Sequence, residues 1–435
     1  MIMIGKIFSA ILSIFIFFIS LSNTMPTVEP MKVEQDDSFV PVLRFVVSSD
    51  SHIKKYGDAG CQRVMKMIET GYAAAEADSN HKTLDAAVIV GDTTNFGLPT
   101  SFAALKDSVD TVLRDETDFL CVAAKNHDGY LGRISRAYAF GISGDKADFN
   151  KVINGYHFIG LSAANNIFVH YSKHQIKWLD KQLAAAVAED PTKPIFVFQH
   201  EHITNTVYGS YDEDGWGVDF LTETLNKYPQ VIDISGHSHY PANDPRSIYQ
   251  DIFTAINDGG LAYYEFTVDG HNSQHPESSD NMAHMLLVEV DAQNRVRVRV
   301  CDLNAEAVLA EYLIDNVAEP KKTKYNQDIR RAASTAPVFG ENPVAKVNGS
   351  DALITVKPAK AGKDDVVFIY RFELLDASGN VVSSQKKLGD YYKNAEPNNI
   401  TFSISALEAG TYTAKITAEN AWGKASAPAA VSFTV

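Results

Sequence analysis

Five short apolar runs in the first half of the chain are each followed by Asp, His or Asn side chains. These groups are Asp50-Ser51-His52, Gly91-Asp92, Asn126-His127-Asp128, His200-Glu201-His202 and Gly236-His237-Ser238-His239. Neutral imidazoles and carboxylates are ligands of divalent first-row metal ions, and a carboxylate such as Asp92 can bridge two ions with its two oxygens. One His alone is more often a structural residue, but five groups placed in the same way predict a shared metal site.

A site with two metal ions would suit phosphoryl chemistry. Two ions about 3.5 to 4 Å apart can hold the attacking and leaving oxygens of a phosphoryl displacement, and they lower the pKa of a water molecule enough to make hydroxide. Asp50 and His52 are separated by one residue, as are His237 and His239. In an extended chain the two members of each pair point to the same side and can reach one centre.

The apolar runs before these groups predict strands that alternate with helices. The predicted strands are Val42–Ser49, Ala86–Val90, Phe119–Ala124, Tyr156–Ser162, Ile195–Gln199 and Val231–Ser235, and the predicted helices are Cys61–Asp78, Thr100–Leu113, Lys173–Glu189 and Asp219–Tyr228. Between Ile248 and Asp302 the pattern changes to mostly strands, including Leu261–Val268, Met285–Val290 and Val296–Cys301. Because open α/β sheets bind ligands at the carboxyl ends of their strands, the five groups should meet at one rim.

Taken in order, the five groups resemble the signature of the calcineurin-like metallophosphoesterases, and the resemblance covers about Leu43 to Asp302. It implies an α/β fold of two facing mixed β-sheets flanked by helices. It also implies two metal ions, of which one is held by Asp50, His52 and His239, the other is held by Asn126, His200 and His237, and both are bridged by Asp92. Fe, Mn and Zn all suit these ligands, so the sequence does not identify the metals.

The same resemblance assigns catalytic and substrate-binding roles. His127 would contact the phosphate and protonate or stabilise the leaving group, with Asp128 orienting its ring and Asn126 beside the substrate. An imidazole with an ordinary pKa near 6.5 suits this task. The activity implied is the hydrolysis of phosphate mono- or diesters, with a small molecule or a lipid headgroup as substrate, by attack of a metal-bound hydroxide.

Several residues near the motifs leave alternatives open. Arg246 could grip the substrate phosphate, or it could close a turn with Asp244. Lys125 stands where the family usually has Gly, so it either points outward or reaches the phosphate. Glu201 and His202 could support the neighbouring ligand or only line the rim. The segment from Thr204 to Gly217 is either a specificity loop over the site or an ordinary aromatic surface loop.

Beyond Pro337 the chain predicts a separate all-β module. Its predicted strands are Leu353–Val356, Val366–Leu375, Val381–Leu388, Thr401–Ile404, Tyr412–Ala418 and Ala430–Val435. The run from Leu407 to Tyr412 resembles the end of a fibronectin type III domain, with Tyr412 placed like the tyrosine-corner residue of an immunoglobulin-like sandwich. None of the candidate chemistry lies in this module.

The chain has 435 residues, which predicts more than one domain. We expect a signal peptide at 1–22, a linker at 23–40, a catalytic domain at 41–315, a connector at 316–336 and the sandwich at 337–435. Lys6 and the apolar run from Ile7 to Leu21 are typical of a signal peptide cleaved after Ser22, which predicts a secreted, periplasmic or cell-surface protein. A retained anchor or a mis-assigned start is the alternative.

The charge of the chain excludes one class of function. The formal net charge is -15, so the chain lacks the excess of Lys and Arg that bulk binding of nucleic acid requires. The three cysteines, Cys61, Cys121 and Cys301, allow at most one disulfide. The competing hypothesis is a surface binding or adhesion protein with a structural or vestigial metal site. A third hypothesis is that the sandwich attaches the enzyme to a polymer or cell surface.

Overall fold

The computed structural model describes residues 25–35, 38–130, 148–163, 170–320, 324–393 and 397–435. The predicted signal peptide at 1–22 lies outside the described residues. Among the helices in the described ranges, none is long and apolar enough to cross a lipid bilayer.

The strands and helices are named here in chain order. The strands of the first part are β1 (Pro41–Ser48), β2 (Ala86–Val90), β3 (Asp118–Val122), β4 (Phe149–Ile153), β5 (Tyr156–Gly160), β6 (Ile195–Phe198), β7 (His202–Ile203), β8 (Gly217–Val218), β9 (Val231–Ser235), β10 (Ile248–Gln250), β11 (Thr254–Asn257), β12 (Phe266–Val268), β13 (His271–Gln274), β14 (His284–Asp291), β15 (Val296–Asp302) and β16 (Ala307–Ile314). The helices are α1 (Ala59–Ala77), α2 (Pro99–Val112), α3 (Lys173–Glu189), α4 (Thr222–Leu225) and α5 (Gln327–Ala333).

Two mixed sheets form the centre of the first part. One has the strand order β16-β15-β14-β1-β2-β3 and the other has the order β10-β11-β9-β6-β5-β4. Strands β1, β2 and β3 run parallel, as do β5, β6, β9 and β11, whereas β14, β15 and β16 in the first sheet and β4 and β10 in the second pair antiparallel. The mixed sheets flanked by few helices agree with the predicted fold class.

The two sheets face each other across an apolar core. Phe45 of β1 packs edge-on against Phe158 of β5 and Phe196 of β6, with ring centroids 5.0 and 4.9 Å away. Helices α1 and α2 cover the outer face of the first sheet, and α3 and α4 cover that of the second. Because both faces of the parallel strands are buried, their sequences are continuous apolar runs and do not alternate between apolar and polar residues.

Local sequence sets the ends of the longer helices. Asp58 caps α1 by accepting a hydrogen bond from the Cys61 amide at 3.1 Å. Ser172 and Gln175 form a reciprocal capping box at the start of α3. Such caps satisfy amide groups that the first helical turn leaves without partners, and each contributes about 1 kcal/mol.

Three predicted elements are shorter than expected. The helix predicted over Asp219–Tyr228 is the single turn α4, and Pro229 disfavours its extension through Tyr228. The strand predicted over Leu261–Val268 is only β12, since residues 261–265 turn toward the metal-ligand loops instead of joining a sheet. In the described part of the connector predicted at 316–336, the only helix is α5, which begins after the Asn326 cap.

The segment predicted as a linker packs against the first domain where the structure describes it. Met31, Val33 and Phe39 are buried. The Met31 amide donates to Thr70 Oγ1 at 3.1 Å, and Arg299 Nη1 donates to the Glu34 carbonyl at 2.6 Å. These contacts hold residues 31–35 against α1 and β15.

The last hundred residues form two antiparallel sheets that pack as a sandwich. Their strands are β17 (Val344–Asn348), β18 (Asp351–Val356), β19 (Val367–Leu375), β20 (Val381–Leu388), β21 (Ile400–Ile404), β22 (Thr411–Asn420) and β23 (Ala429–Thr434). The orders are β17-β18-β21 and β20-β19-β22-β23. The Tyr412 hydroxyl donates to the Glu408 carbonyl at 2.9 Å, the bond that a tyrosine corner makes. The relation to fibronectin type III domains stays a prediction.

The three cysteines do not form a disulfide. Cys61, Cys121 and Cys301 are all buried thiols. Burial raises the pKa of each, so they are neutral and act as small apolar side chains.

Candidate metal centre

The candidate ligands lie in tight loops directly after the parallel strands. Among the described residues other than glycine, few have positive φ, yet five of those few are candidate ligands, namely Asp50 (52°), His52 (44°), Asp92 (45°), His237 (73°) and His239 (56°). Left-handed backbone is unfavourable for residues with a side chain, and it persists only where the surroundings impose it. The loops therefore hold these side chains in strained positions, as functional sites often do.

Two glycines allow the loops to approach each other. A Cβ on Gly236 would lie 1.9 Å from Ser49 Oγ and 2.6 Å from Asp50 Oδ2. A Cβ on Gly91 would lie 2.6 Å from His200 Nδ1, and the φ of Gly91 is +84°. Only glycine fits either position without movement of a candidate ligand.

One half of the site is formed by Asp50, His52 and His239, which bring three potential ligand atoms together. Asp50 Oδ1 is 3.2 Å from His239 Nε2 and 3.7 Å from His52 Nε2. The two imidazole nitrogens are 3.2 Å apart. Asp50 is held in place through its other oxygen, which accepts the His237 amide at 2.9 Å.

The other half is formed by Asp92, His200 and His237. Asp92 Oδ2 is 3.2 Å from His200 Nε2, and His200 Nε2 is 3.2 Å from His237 Nδ1. A third group, made of His52, Asp92 and His127, joins the two halves. The structure thus brings together six of the seven predicted ligands, with Asp92 belonging to two groups, as a bridging carboxylate would.

Backbone carbonyls determine which nitrogen of three imidazoles faces the cluster. The Nδ1 atoms lie at hydrogen-bonding distance from carbonyl oxygens, with His200 at 2.8 Å from Val90, His239 at 3.1 Å from Tyr263 and His127 at 2.8 Å from Asn95. A carbonyl can only accept, so Nδ1 carries the proton in each ring. In the neutral ring, Nε2 then presents a lone pair to the cluster, which is the tautomer that metal-ligating histidines use.

The cluster contains polar atoms that the protein itself does not satisfy. Asp92 Oδ1 and His52 Nδ1 of the cluster are buried without a hydrogen-bond partner among the described residues, and so is Oδ1 of Asn126, the residue before His127. Lone pairs of imidazoles and carboxylates converge at 3 to 4 Å, which is repulsive unless a positive charge lies between them. The donor set of carboxylate oxygens and imidazole nitrogens fits divalent or trivalent metal ions.

The pKa values of the cluster without metal also indicate that it needs a positive charge among its carboxylates and imidazoles. Burial lowers the pKa of His200, but the carboxylates of Asp92 and Asp50 outweigh burial and hold the pKa well above its ordinary value. Burial raises the pKa of Asp50, yet His239 and His200 hold it well below the usual range. Burial and His200 lower the pKa of His237 to about 4. A proton on His200 thus supplies the positive charge that a metal ion would otherwise supply.

The predicted catalytic group is only partly arranged as expected. His127 lies at the rim of the cluster, with Nε2 4.0 Å from Asp92 Oδ2. Its ring is oriented by the Asn95 carbonyl, so the prediction that Asp128 orients it was wrong. Asp128 instead accepts hydrogen bonds from Thr93, Thr94 and the Ala124 amide, which ties the loop after β3 to the loop after β2. Burial and Asp92 raise the pKa of Asp128 to about 6.

Arg246, predicted to bind substrate, is part of the interior. Its side chain is largely buried, and it donates to both carboxylate oxygens of Asp244, at 2.8 and 2.7 Å. Its guanidinium stacks over the rings of Tyr208 and Phe368. Of the two alternatives, the structure therefore shows the turn-closing ion pair.

The other open positions have clear surroundings. His202 is buried, and its two nitrogens lie 2.8 Å from the hydroxyls of Ser235 and Ser238, so it braces the His237–His239 loop. Glu201 is buried and contacts His170 at 3.1 Å. Lys125 is half-buried and has no positive φ, so its turn does not require the usual glycine.

The loop after β7 contributes to the site through Trp216. The Trp216 ring packs edge-on against His237, with centroids 5.1 Å apart. The Tyr211 hydroxyl donates to Gln327 Oε1 at 2.7 Å and holds the loop to α5. The loop therefore borders the metal centre at His237.

Sequence reasoning missed two residues of the site. The Tyr263 ring stacks on His239 at 4.1 Å with an angle of 13° between the planes. Asp258 accepts a hydrogen bond from Ser49 Oγ at 2.6 Å, and Ser49 also contacts Asp50. The Asn257-Asp258-Gly259-Gly260 run after β11 follows the same strand-end pattern as the five groups, and it could have revealed Asp258.

Comparisons with known proteins identify structural neighbours only. No family model and no curated protein matches the chain. An anchor protein of the inner membrane complex of Plasmodium is 14% identical, with a TM-score of 0.39, over 65% of this chain and 90% of that chain. A purple acid phosphatase from yellow lupin (Lupinus luteus) seeds is 13% identical, with a TM-score of 0.41, over 63% of this chain and 54% of that chain. A structure described as a myokine is 17% identical, with a TM-score of 0.17, over 23% of this chain and 96% of that chain. These similarities are too distant to carry the functional argument, which depends on the geometry of the metal centre.

Proposed function

We propose that the chain is a dinuclear metallophosphoesterase that hydrolyses phosphate mono- or diesters. The observation that carries the proposal is the pair of three-residue ligand groups, Asp50-His52-His239 and Asp92-His200-His237, joined by a third group through His52 and Asp92. A single structural metal ion needs one such group. Two adjoining groups that share a carboxylate are suited to two ions, the arrangement used for in-line displacement at phosphorus.

The residues of the chain have separate tasks in this proposal. Bound metal ions would polarise the phosphoryl group and acidify a water molecule. Asp50, Asp92 and the imidazoles would hold them, and Asn126 Oδ1, which is buried without a partner, is available as a further ligand. His127 lies at the rim, where its Nε2 can face the ester oxygen of the leaving group. The carbonyl of Asn95 keeps the His127 ring in place, so no rotation is needed during the reaction.

Export stays part of the proposal. The run from Ile7 to Leu21 supports it, and a secreted, periplasmic or cell-surface location would follow. The substrate would be a small molecule or a headgroup carrying a phosphate ester. The acidic charge of the chain disfavours a nucleic-acid polymer as the bound partner.

Substitution of two ligands tests the proposed activity. We expect His200→Ala and Asp92→Asn each to lower the hydrolysis of bis(4-nitrophenyl) phosphate and 4-nitrophenyl phosphate by at least about a hundredfold, with far-UV circular dichroism unchanged. His174→Ala, which removes an exposed imidazole on α3, is the matched control and should keep full activity. Full activity in both ligand variants would refute the proposal. Bound metal without turnover of either ester would favour a binding protein.

A further inference from the structure

The chain that follows the metal ligand His239 runs directly into the interface with the C-terminal sandwich. Tyr240 is fully buried, and its ring lies 4.4 Å from that of Tyr208. Tyr208 in turn packs edge-on against Phe368 of β19, at 6.1 Å. One buried aromatic cluster therefore connects the sandwich to the residue next to a metal ligand.

A buried ion pair at this interface is completed by the sandwich. The Arg246 guanidinium lies 3.7 Å from the centre of the Tyr208 ring and 4.7 Å from that of Phe368. Its partner Asp244 also accepts the Tyr391 hydroxyl at 2.6 Å. Asn243 Nδ2 donates to the Tyr391 carbonyl at 2.9 Å. Without the sandwich, this pair would lose its aromatic cover and one of its hydrogen bonds.

We propose that the C-terminal sandwich is a positioning part of the metal centre, because it fixes residues 240–246 and thereby the loop that carries His237 and His239. This inference goes beyond the proposed hydrolysis, since it concerns how the loop is held whether or not an ester is cleaved. It also differs from the hypothesis that the sandwich only attaches the enzyme to a surface.

The interface supplies a matched pair of sites for the test. Phe368 lies in the buried cluster, whereas Arg371, three residues along β19, makes an ion pair with Asp269 at 2.6 Å in which both side chains are more than a third exposed. Exposed ion pairs contribute little to stability. Arg371→Ala therefore removes an interdomain contact without disturbing the aromatic cluster.

The experiment is hydrogen exchange of the full-length, metal-free protein, followed by titration with Mn²⁺. In Phe368→Ala we expect amide exchange over residues 237–247 to be about tenfold faster than in the wild type. We also expect the Mn²⁺ affinity to fall by about tenfold, which is the low end of the loss seen when residues that support metal ligands are changed. Tyr391→Phe should show both effects more weakly. Arg371→Ala should match the wild type. Unchanged exchange in Phe368→Ala, or the same acceleration in Arg371→Ala, would overturn the inference. A wild type that binds no Mn²⁺ would contradict the proposed function, while the exchange data would still decide the positioning role.

A second inference comes from two exposed aromatic side chains beside His127. Phe96 and Tyr130 are 55% and 58% exposed. Their rings are 6.4 Å apart and inclined by 28°, and the Tyr130 ring is 5.4 Å from that of His127. Phe96 directly follows Asn95, whose carbonyl orients His127. The candidate catalytic imidazole is therefore flanked by a flat apolar wall.

We infer that the group esterified to the phosphate is planar and aromatic, an aryl group or a nucleobase, and that it stacks on Phe96 and Tyr130. This inference rests on the proposed function and specifies its substrate class. Exposed, nearly parallel rings suit stacking because a flat partner can bury their apolar faces. The rigid rings lose little conformational freedom when they are covered.

Two phosphonates that are not hydrolysed separate this inference from the activity itself. Calorimetry of the Mn²⁺-loaded protein should show tighter binding of phenylphosphonate than of methylphosphonate, and Phe96→Ala or Tyr130→Ala should weaken only phenylphosphonate, by about tenfold. Phe220→Ala, which removes a comparably exposed ring stacked on His170, is the control. Equal affinity for both ligands, or binding of neither, would overturn the stacking. A preserved preference in a protein that cleaves no ester would contradict only the proposed function.

Discussion

Strand β1 connects two buried groups of charged side chains that are neutralised in different ways. Near its start, Arg44 lies opposite Glu289 of β14, and Glu289 lies opposite Arg297 of β15. Just past its end, Asp50 joins the histidines and Asp92 of the metal centre. Both groups are almost entirely removed from water.

The first group, which we name the Glu289 cluster, consists of Glu289, Arg44, Arg297 and Arg299. Glu289 accepts hydrogen bonds from Arg44 at 2.8 Å and from Arg297 and Arg299, each at 2.7 Å. Arg44 also pairs with Asp78. The positive charges here come from the protein, so the cluster is complete when the chain has folded.

In the described part of the chain, the metal centre has no Lys or Arg of this kind, and without metal only protonated histidine balances its carboxylates. Among the residues that the structure describes, Asp50 and Asp92 form ion pairs only with histidines, and no Lys or Arg reaches them. Buried charges persist only when they are paired or bound to metal. The Glu289 cluster therefore belongs to the fold, whereas the Asp and His groups of the candidate metal centre have the donor set that metal ions could complete.

The largest expected effect is on the Glu289 cluster. Glu289→Gln would leave three buried guanidinium groups without their common anion, so we expect the free energy of unfolding to fall by about 3 to 5 kcal/mol. Chemical denaturation should show the same loss with and without metal. Glu373→Gln, the same change at an exposed position of β19, should have little effect. Equal stability of the two variants would contradict the assignment of the Glu289 cluster to the fold.

The next largest effect is expected from metal. At a free metal concentration of a hundred times Kd, wild-type protein should gain about 2.7 kcal/mol of stability, measured as a rise in Tm. Asp92→Asn should lose most of this gain while its metal-free stability stays near that of the wild type, because His200 can release its proton once the Asp92 carboxylate is gone and no unpaired buried charge is left. A metal-free variant several kcal/mol less stable than the wild type would show that Asp92 is structural.

A third buried acid is neutralised by a proton rather than by Arg or metal, and it makes stability depend on pH. Burial raises the pKa of Asp233 to about 8, although Gln199 donates to its carboxyl group at 3.2 Å. Between the ordinary pKa near 4 and about 8, the unfolded carboxyl ionises while the folded one keeps its proton, so wild-type stability falls as pH rises. Asp233→Asn should therefore gain roughly 3 kcal/mol relative to wild type between pH 5 and pH 7.5. A difference in stability that does not change with pH would contradict this account.

The smallest effect is expected far from both charged groups. Tyr412→Phe in the sandwich removes the single neutral hydrogen bond to the Glu408 carbonyl, which should cost about 1 kcal/mol. Thermal denaturation of the full chain would measure it. If Tyr412→Phe lost as much unfolding free energy as Glu289→Gln, the buried charges of the Glu289 cluster would matter no more to stability than one neutral hydrogen bond of the sandwich.

The sequence predicted which Asp and His side chains come together, because strand ends are visible in local patterns. The apolar runs ending at Ser49, Val90 and Ser235 place Asp50, Asp92 and His237 at one rim once the strands are parallel. Positive φ at these residues could not be predicted, because tertiary contacts rather than local propensity impose it.

Contacts between distant parts of the chain explain the errors. Arg246 follows the last motif closely, so proximity in sequence suggested substrate, but Phe368 and Tyr391 of the sandwich draw the Asp244–Arg246 pair into an interface. Asp128 follows His127 directly, yet its partners lie on the loop after β2. Neither the sandwich contacts of Arg246 nor the loop partners of Asp128 could be identified from spacing along the chain.

The number of metal ions bound per chain tests the central claim most directly. Elemental analysis of wild-type protein reconstituted with Mn²⁺ and freed of excess metal should find two ions per chain, and Asp92→Asn should retain one or none. Wild-type protein that retains no metal, or an Asp92→Asn variant that retains as much as the wild type, would contradict the claim that these side chains form a dinuclear centre.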